Sequence, residues 1–482
     1  MTILLERPDL ISALSSRRPA AFAAPAHPLG TGAVVSHPHA AGLEIVGADV
    51  TVPLAGGGRV AYANLDHGAS APALRVVRDT VEALLERYAS VHRGAGWHSK
   101  VCTSLYEGAR EPVRDFVGGR ADDAVIFTRH TTDSFNLLAH CLPARTTVVV
   151  FETEHHAALL PWGLDSRRRQ TVVRLPAPST TGEAIDAVDN ALRHRAPGPA
   201  LLVITGASNV TGEIWPVAEL ARVARARGAR VALDAAQLAP HRPFSITDLG
   251  VDYVALSGHK LYAPYGTGAL IGRPDWLAAA QPYLVGGGAT ASVTGEETSY
   301  KPLPDRHEAG SPNVPGAVAL ATACHALATA DRSALARAEH ALTETLRTGL
   351  SEIPGVTVHS LFGGAVDSIG VVTFTIAGQQ PSVVAAALSA EHGIGVRDGA
   401  FCAHPLVRHL LGSAGCAVDD GTGQALRASV GLGTTTEHVR RLVTAVESIA
   451  STGPRRRYVV VDGRPVPAVD DRELPRIAAW QR

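Results

Sequence analysis

The sequence predicts an α/β protein, with a mostly parallel sheet in a large domain followed by a smaller α+β domain. Three observations lead there. Beyond about residue 60, short β-branched runs alternate with longer helical patterns, the rhythm of strand–helix–strand units. Four of those runs stop directly before residues able to do chemistry. From about Pro315 the rhythm gives way to long Ala-rich helices and shorter strands.

Taken in order, a helix is expected over 79–88 (DTVEALLERY), where Val81, Leu84 and Leu85 form one apolar face. The runs 147–151 (TVVVF), 200–204 (ALLVI), 230–233 (RVAL) and 253–256 (YVAL) read as buried strands. VAELARVARARGA gives a helix stopped at Gly228, and another short strand is expected from Gly266 to Ile271. Helices are then expected at 316–329, 331–350 and 382–392, with strands near 355–359 and 369–376. The chain thus divides into an Ala/Pro-rich arm (1–45), a large domain (46–315), a small domain (316–450, with part of the N-terminal segment) and a tail (451–482). The arm is expected to be partly disordered or laid across a partner subunit. The tail's YVVVDG is expected to add one strand.

At 482 residues the chain is long enough for two or three domains and a sizeable core without disulfides. Hydrophobic residues at 46% and charged ones at 18% exclude a disordered or fibrous chain. Lys+Arg is 44 and Asp+Glu is 45, so no basic excess favours nucleic acid or acidic lipid, and neither is expected as a partner. No apolar run is long enough to span a bilayer. Five cysteines without a CxxC pair argue against a secreted disulfide framework and a structural zinc site. His155 and His156 are not expected to share a metal, because neighbours on a strand point to opposite faces. Ser16-Arg17-Arg18 faintly resembles a twin-arginine export start, but AFAAPAHPLG after it is broken by prolines and His27; a cytoplasmic protein is expected.

Lysine is scarce: only Lys100, Lys260 and Lys301, with arginine supplying the rest of the 44. The four strand ends run into Glu154-His155-His156, Ser208-Asn209, Asp234-Ala235-Ala236-Gln237 and Ser257-Gly258-His259-Lys260. In such sheets functional groups gather at the carboxyl ends of strands. A carboxylate, an imidazole, an amide and a lysine therefore meet at one edge. Thr131 and Thr132 open a further helix whose N–H groups suit a phosphate. Pyridoxal phosphate calls for this set: a lysine for the Schiff base, an acid facing the pyridine nitrogen, a ring to stack on, and a phosphate cradle.

The sequence also resembles a known family. NLDHGASAP (64–72), VHRG (91–94), YEGAR (106–110), EHHAALLPW (154–162), SNVTGEIWPV (208–217), DAAQLAPH (234–241), SGHKLYAPYGTG (257–268), RHEAGSPN (306–313), VRDGAFCAHPL (396–406) and RAS (427–429) are similar to motifs of class V aminotransferase-fold enzymes. The resemblance is nearest to the SufS-type cysteine desulfurases and selenocysteine lyases. It implies fold type I of the pyridoxal-phosphate transferases, with a seven-stranded, mostly parallel sheet. It also implies roles. Lys260 would carry the cofactor, Asp234 would face its ring nitrogen, Gln237 its phenolic oxygen, and His155 would stack on the ring. Thr131 or Thr132, Ser257 and His259 would hold the phosphate, and Ser292 would reach the phosphate of a neighbouring subunit, which implies a homodimer. Asn209 and Arg427 would bind the substrate carboxylate, with Arg397 in the same pocket and Cys402 in the place of the nucleophile. The chain departs from the family pattern at Gly96-Trp97, where a second histidine is usual; at Ala400-Phe401, where histidines usually precede the cysteine; and at His130, where glycine usually precedes the threonines.

The implied reaction is desulfuration of L-cysteine or a related amino acid: the Cys402 thiolate attacks the substrate sulfur and keeps it as a persulfide, while alanine leaves. Positive neighbours favour a thiolate, and Arg397 and His404 are the candidates. A sulfur-acceptor protein is a possible partner. The same cofactor site also suits a C–S or C–N lyase, an epimerase or an aminotransferase, with Cys402 then a small structural residue. A non-catalytic sulfur-transfer scaffold is the remaining alternative.

Overall fold

The computed structural model describes residues 43–414 and 423–481. The arm expected over 1–45 therefore falls outside the described residues up to residue 42, as does Cys416. Seven strands form the large sheet: β1 (Ala124–Thr128), β2 (Thr147–Phe151), β3 (Thr171–Leu175), β4 (Ala200–Thr205), β5 (Arg230–Asp234), β6 (Tyr253–Ser257) and β7 (Gly268–Gly272). Their order is β1-β7-β6-β5-β4-β2-β3. The pairs from β3 to β6 are parallel, and only β7 runs antiparallel to its neighbours β1 and β6. The central strands are mostly apolar and buried because both faces are covered. Val149, Phe151, Leu202 and Ile204 enter one core, while Val148, Val150, Leu201 and Val203 enter another on the opposite face.

Two of these strands, β1 and β3, are absent from the run-by-run sequence reading, and the strand expected from Gly266 lies two residues later. Gly266 itself has φ +68° in the turn before it. The helix expected over 79–88 spans Arg75–Leu85 and buries Val77, Val81 and Leu84. The Ala-rich helix Val314–Thr329 is buried along most of its length, and Arg332–Ser351 follows it.

A second, antiparallel sheet comprises β8 (Val356–His359), β9 (Val371–Ile376), β10 (Arg397–Gly399) and β11 (Ala425–Ser429), in the order β8-β9-β11-β10. Residues of this sheet, of the helices Arg332–Ser351 and Thr436–Thr452, and of the segment Ala63–Leu65 share one core. Ala63–Asn64 pairs in parallel with Ile394–Gly395, and Asp66 bridges to Ser429. That pairing carries the NLDHG segment to the end of β11. The tail holds two strands rather than one: Tyr458–Val461 and Arg464–Pro467 form a hairpin. Among the described residues, no helix is long and apolar enough to cross a membrane.

Candidate active site

The carboxyl ends of β2, β4, β5 and β6 lie side by side, and the next few residues of each chain segment build the site. After β6, Ser257-Gly258-His259-Lys260 makes a tight turn. A Cβ on Gly258 would sit 2.4 Å from the carbonyl oxygen of Thr267, so only glycine lets the backbone pass. Of the three lysines, Lys260 alone stands here; Lys100 is exposed on the helix Trp97–Gly108, and Lys301 pairs with Asp305 at 2.9 Å. Burial pushes the Lys260 amine down to about 8, against the pull of Asp234. Such an amine is neutral for a useful fraction of molecules near neutral pH, as a nucleophilic lysine requires.

Asp234, the last residue of β5, is buried and accepts the N–H of Ala236 at 3.0 Å. Burial raises its carboxyl above the ordinary range, opposed by Lys260 and by that N–H. Beside it lies Glu154, a fully buried carboxyl with no role in the sequence reading. Its Oε1 accepts the Thr205 N–H at 2.9 Å, and its Oε2 has no partner. Burial and the charge of Asp234 push Glu154 well above the carboxylate range. The charge of Asp234 thus opposes ionisation of Glu154, while Lys260 favours the ionised form of Asp234.

The two histidines after β2 do not lie on a strand. β2 ends at Phe151, and His155 caps the short helix His156–Leu159, so the alternation argument against a shared metal does not apply to them. His155 Nδ1 accepts the Ala157 N–H at 3.1 Å, which leaves the proton on Nε2. Burial, then Lys260, lowers it to about 3, so this ring is neutral and can stack. Gln237 donates to the Gly68 carbonyl at 2.8 Å. Thr131 is buried at the start of the helix Thr131–Cys141, and its N–H and Oγ1 meet Ser257 Oγ at 2.9 and 2.8 Å. Thr132 is exposed, so of the two threonines it is Thr131 that joins Ser257. His130 caps the same helix by accepting the Asp133 N–H. Burial, Lys260 and His130 lower His259 to about 4.

On the other wall, buried Arg427 on β11 donates from Nη1 to the Asn209 carbonyl at 3.0 Å and from Nη2 to Asp66 at 3.2 Å. Its Nε is buried without a partner. An unsatisfied buried donor is costly, and a carboxylate arriving along that edge would satisfy it. Arg397, about half exposed, lies 4.0 Å from Asp66. Asp66, to which the sequence reading gave no role, thus lies between both arginines. Cys402 is exposed on the turn 400–403, close enough to add to the field at Lys260 and at Arg427. Phe401 and Cys402 have φ of 53° and 54°, left-handed values that cost a side chain roughly 1–2 kcal/mol each. His404 meets the His156 ring edge-on at 4.6 Å between centroids.

Ser292 is not part of this cluster. It sits on an exposed hairpin, 2.5 Å from Ser299 Oγ. A separate cavity of about 270 Å³ shares no lining residue with the Lys260 site. On its wall, ligand atoms of His92 and Asp305 and of nearby Glu107 lie within 4.8 Å of one another, but Glu107 is bound by Arg110 and Asp305 by Lys301.

Residues 63–442 match the family described as aminotransferase class-V. The chain belongs to this family. A probable cysteine desulfurase of Vibrio cholerae is 34% identical over 390 residues, covering 79% of this chain and 92% of the relative. A probable cysteine desulfurase of Mycolicibacterium paratuberculosis is 33% identical over 369 residues, and the chain spans about half (52%) of that longer protein. The solved cysteine desulfurase CsdA of Escherichia coli superposes with a TM-score of 0.70 at 30% identity, covering 81% of this chain and 95% of that one. Class V enzymes use pyridoxal phosphate, and the donors present fit it. Lys260 would carry the cofactor, Asp234 would face its ring nitrogen, neutral His155 its ring, and Thr131, Ser257 and His259 its phosphate.

Proposed function

We propose that the chain is a pyridoxal-phosphate-dependent cysteine desulfurase, taking sulfur from L-cysteine onto Cys402 and releasing alanine. The observation that carries this reading is the placement of Cys402: a thiol on a left-handed turn, within electrostatic reach of both Lys260 and the carboxylate-seeking Arg427. Bound pyridoxal phosphate supplies the electron sink that labilises bonds at the substrate's Cα.

The chain's own groups do the rest. Arg427 takes the substrate carboxylate along its free Nε edge, where a guanidinium fork suits a planar anion. Asn209 and Asp66 hold that guanidinium in place, and Arg397 adds positive charge at the pocket mouth. Lys260 Nζ removes the Cα proton. The Cys402 sulfur bonds to the substrate sulfur as the Cβ–S bond breaks, and that bond's electron pair stays with the carbon. Protons return to the carbon skeleton to complete alanine, and Cys402 keeps the extra sulfur as a persulfide.

We assign a homodimer, a reading supported by Ser292 standing on an exposed hairpin rather than in its own chain's Lys260 cluster. The persulfide calls for a sulfur acceptor. Free thiols at Cys102, Cys141, Cys324 and Cys402 suit a reducing cytoplasm. The reading is tested by offering the purified enzyme single amino acids and following sulfide, alanine, pyruvate and keto acids together. We expect sulfide and alanine in equal amounts from L-cysteine with a reductant present. Pyruvate or a keto acid as the main product would replace desulfuration with a lyase or an aminotransferase.

A further inference from the structure

Three contacts close a ring around the residue before the thiol. The Asn209 side chain donates from Nδ2 to the Phe401 carbonyl at 2.8 Å, and the Asn209 carbonyl accepts from Arg427 Nη1 at 3.0 Å. The Arg427 guanidinium then lies over the Phe401 ring, 5.2 Å from its centroid. Phe401 is 8% exposed, so this cation–ring contact is largely shielded from water, where it is strongest. On the far side of the turn, the His156 N–H holds the Cys402 carbonyl at 2.8 Å and the Ala403 N–H holds that of Ala400 at 2.8 Å.

Two successive left-handed residues other than glycine persist only where their surroundings over-determine them. Here the surroundings include the Arg427 guanidinium, whose buried Nε still lacks a partner. A carboxylate that binds this Nε draws the guanidinium toward itself, and the ring stacked on it is the next residue in the chain to Cys402.

We propose that Phe401 is a positioning residue: its ring transmits occupancy of the Arg427 carboxylate site to the turn that aims the Cys402 sulfur. This builds on the desulfurase reading, in which Arg427 binds the substrate carboxylate and Cys402 receives the sulfur. It gives the enzyme a way to place its thiol when the substrate's acid end is seated. Phenylalanine suits the task because a flat apolar face binds a buried guanidinium without competing for its N–H groups.

The test uses the holoenzyme and needs no turnover. Iodoacetamide alkylation of Cys402, counted by peptide mass spectrometry, is timed with and without saturating propionate, a carboxylate that has no amine to react with the cofactor. Wild type and Phe401→Tyr are expected to change their alkylation rate about fivefold or more with propionate, the usual lower range of coupling between two sites. Phe401→Leu and the more adaptable Phe401→Met are expected to lose that response while keeping cofactor absorbance and a cooperative thermal unfolding transition. Equal responses in all four proteins would mean that propionate merely shields the thiol, and would overturn the proposal. So would no response in wild type. An enzyme that shows the expected pattern yet releases no sulfide from L-cysteine would lose the desulfurase reading and keep this coupling.

Discussion

Lys260 and Cys402 reach each other's electric field from backbones of opposite character. Lys260, Asp234 and Ser257 hang from the ends of neighbouring strands whose ladders hydrogen-bond on both sides. Their spacing is set by the sheet and cannot drift. Cys402 rides on a left-handed turn held by single contacts from Asn209, His156 and the Arg427 guanidinium over the Phe401 ring. On the proposed reading, the groups that would grip the cofactor gain nothing from motion and are built on hydrogen-bonded strands. The sulfur that would meet a departing atom is built on a turn clamped from distant segments.

Four substitutions can break or sharpen that contrast. Lys260→Ala strikes the sheet side, and we expect the cofactor's internal-aldimine absorbance to vanish and turnover to fall by about 10²–10⁴ or more. A normal cofactor spectrum in this variant would remove Lys260 from its role. Cys402→Ala strikes the turn side alone. Cofactor absorbance and melting temperature are expected to stay, while sulfide release from L-cysteine disappears; release at the wild-type rate would make Cys402 a structural residue. Asn209→Ala strips the turn of its side-chain clamp and leaves the Phe401 carbonyl unpaired. An unpaired buried acceptor costs about 1–3 kcal/mol, so we expect kcat/KM for L-cysteine to fall roughly 10- to 100-fold with cofactor affinity unchanged. A matching loss of cofactor affinity would show that the two sides are not separable.

The last effect concerns the sheet side and pH, and it touches stability rather than turnover. Unfolded glutamate ionises near pH 4.3, whereas folded Glu154 holds its proton well beyond that, so above about pH 4.3 the native state binds more protons than the unfolded one. Stability is therefore lost as pH rises, until the folded Glu154 itself ionises. Glu154→Gln abolishes this loss. In thermal melts of the apoenzyme its advantage over wild type is expected to be absent near pH 4 and to grow as pH rises above that, by at most about 1.4 kcal/mol per pH unit, until folded Glu154 ionises. A difference independent of pH would mean that Glu154 is ionised in the fold.

The same contrast governs what could be read from the chain. Strands β2, β4, β5 and β6 announce themselves as short β-branched runs, and the residues after them follow by position. β3 did not, because its edge position leaves Thr171 and Arg174 exposed and mixes polar residues into the run. β1, the opposite edge strand, buries only Val125 and Ile126 of AVIFT, so its apolar run is too short to stand out. Asp66 could not be paired with Arg427 from sequence, since the two lie 361 positions apart and meet only through the bridge from Asp66 to Ser429. The turn at Phe401 was visible only as a departure from a familiar pattern. Its left-handed backbone carries no glycine to signal it, and its three clamps come from distant segments.

The most direct measurement is a single turnover of the holoenzyme with L-cysteine and no reductant, followed by rapid quenching and peptide mass spectrometry. Sulfur transfer to an attacking thiol leaves that atom on the attacker. We expect the peptide containing Cys402 to gain the mass of one sulfur atom in step with alanine formation, and a reductant to remove it. Alanine formed at full rate with Cys402 unmodified, or the added sulfur found on another cysteine, would contradict the placement of the nucleophile on this turn.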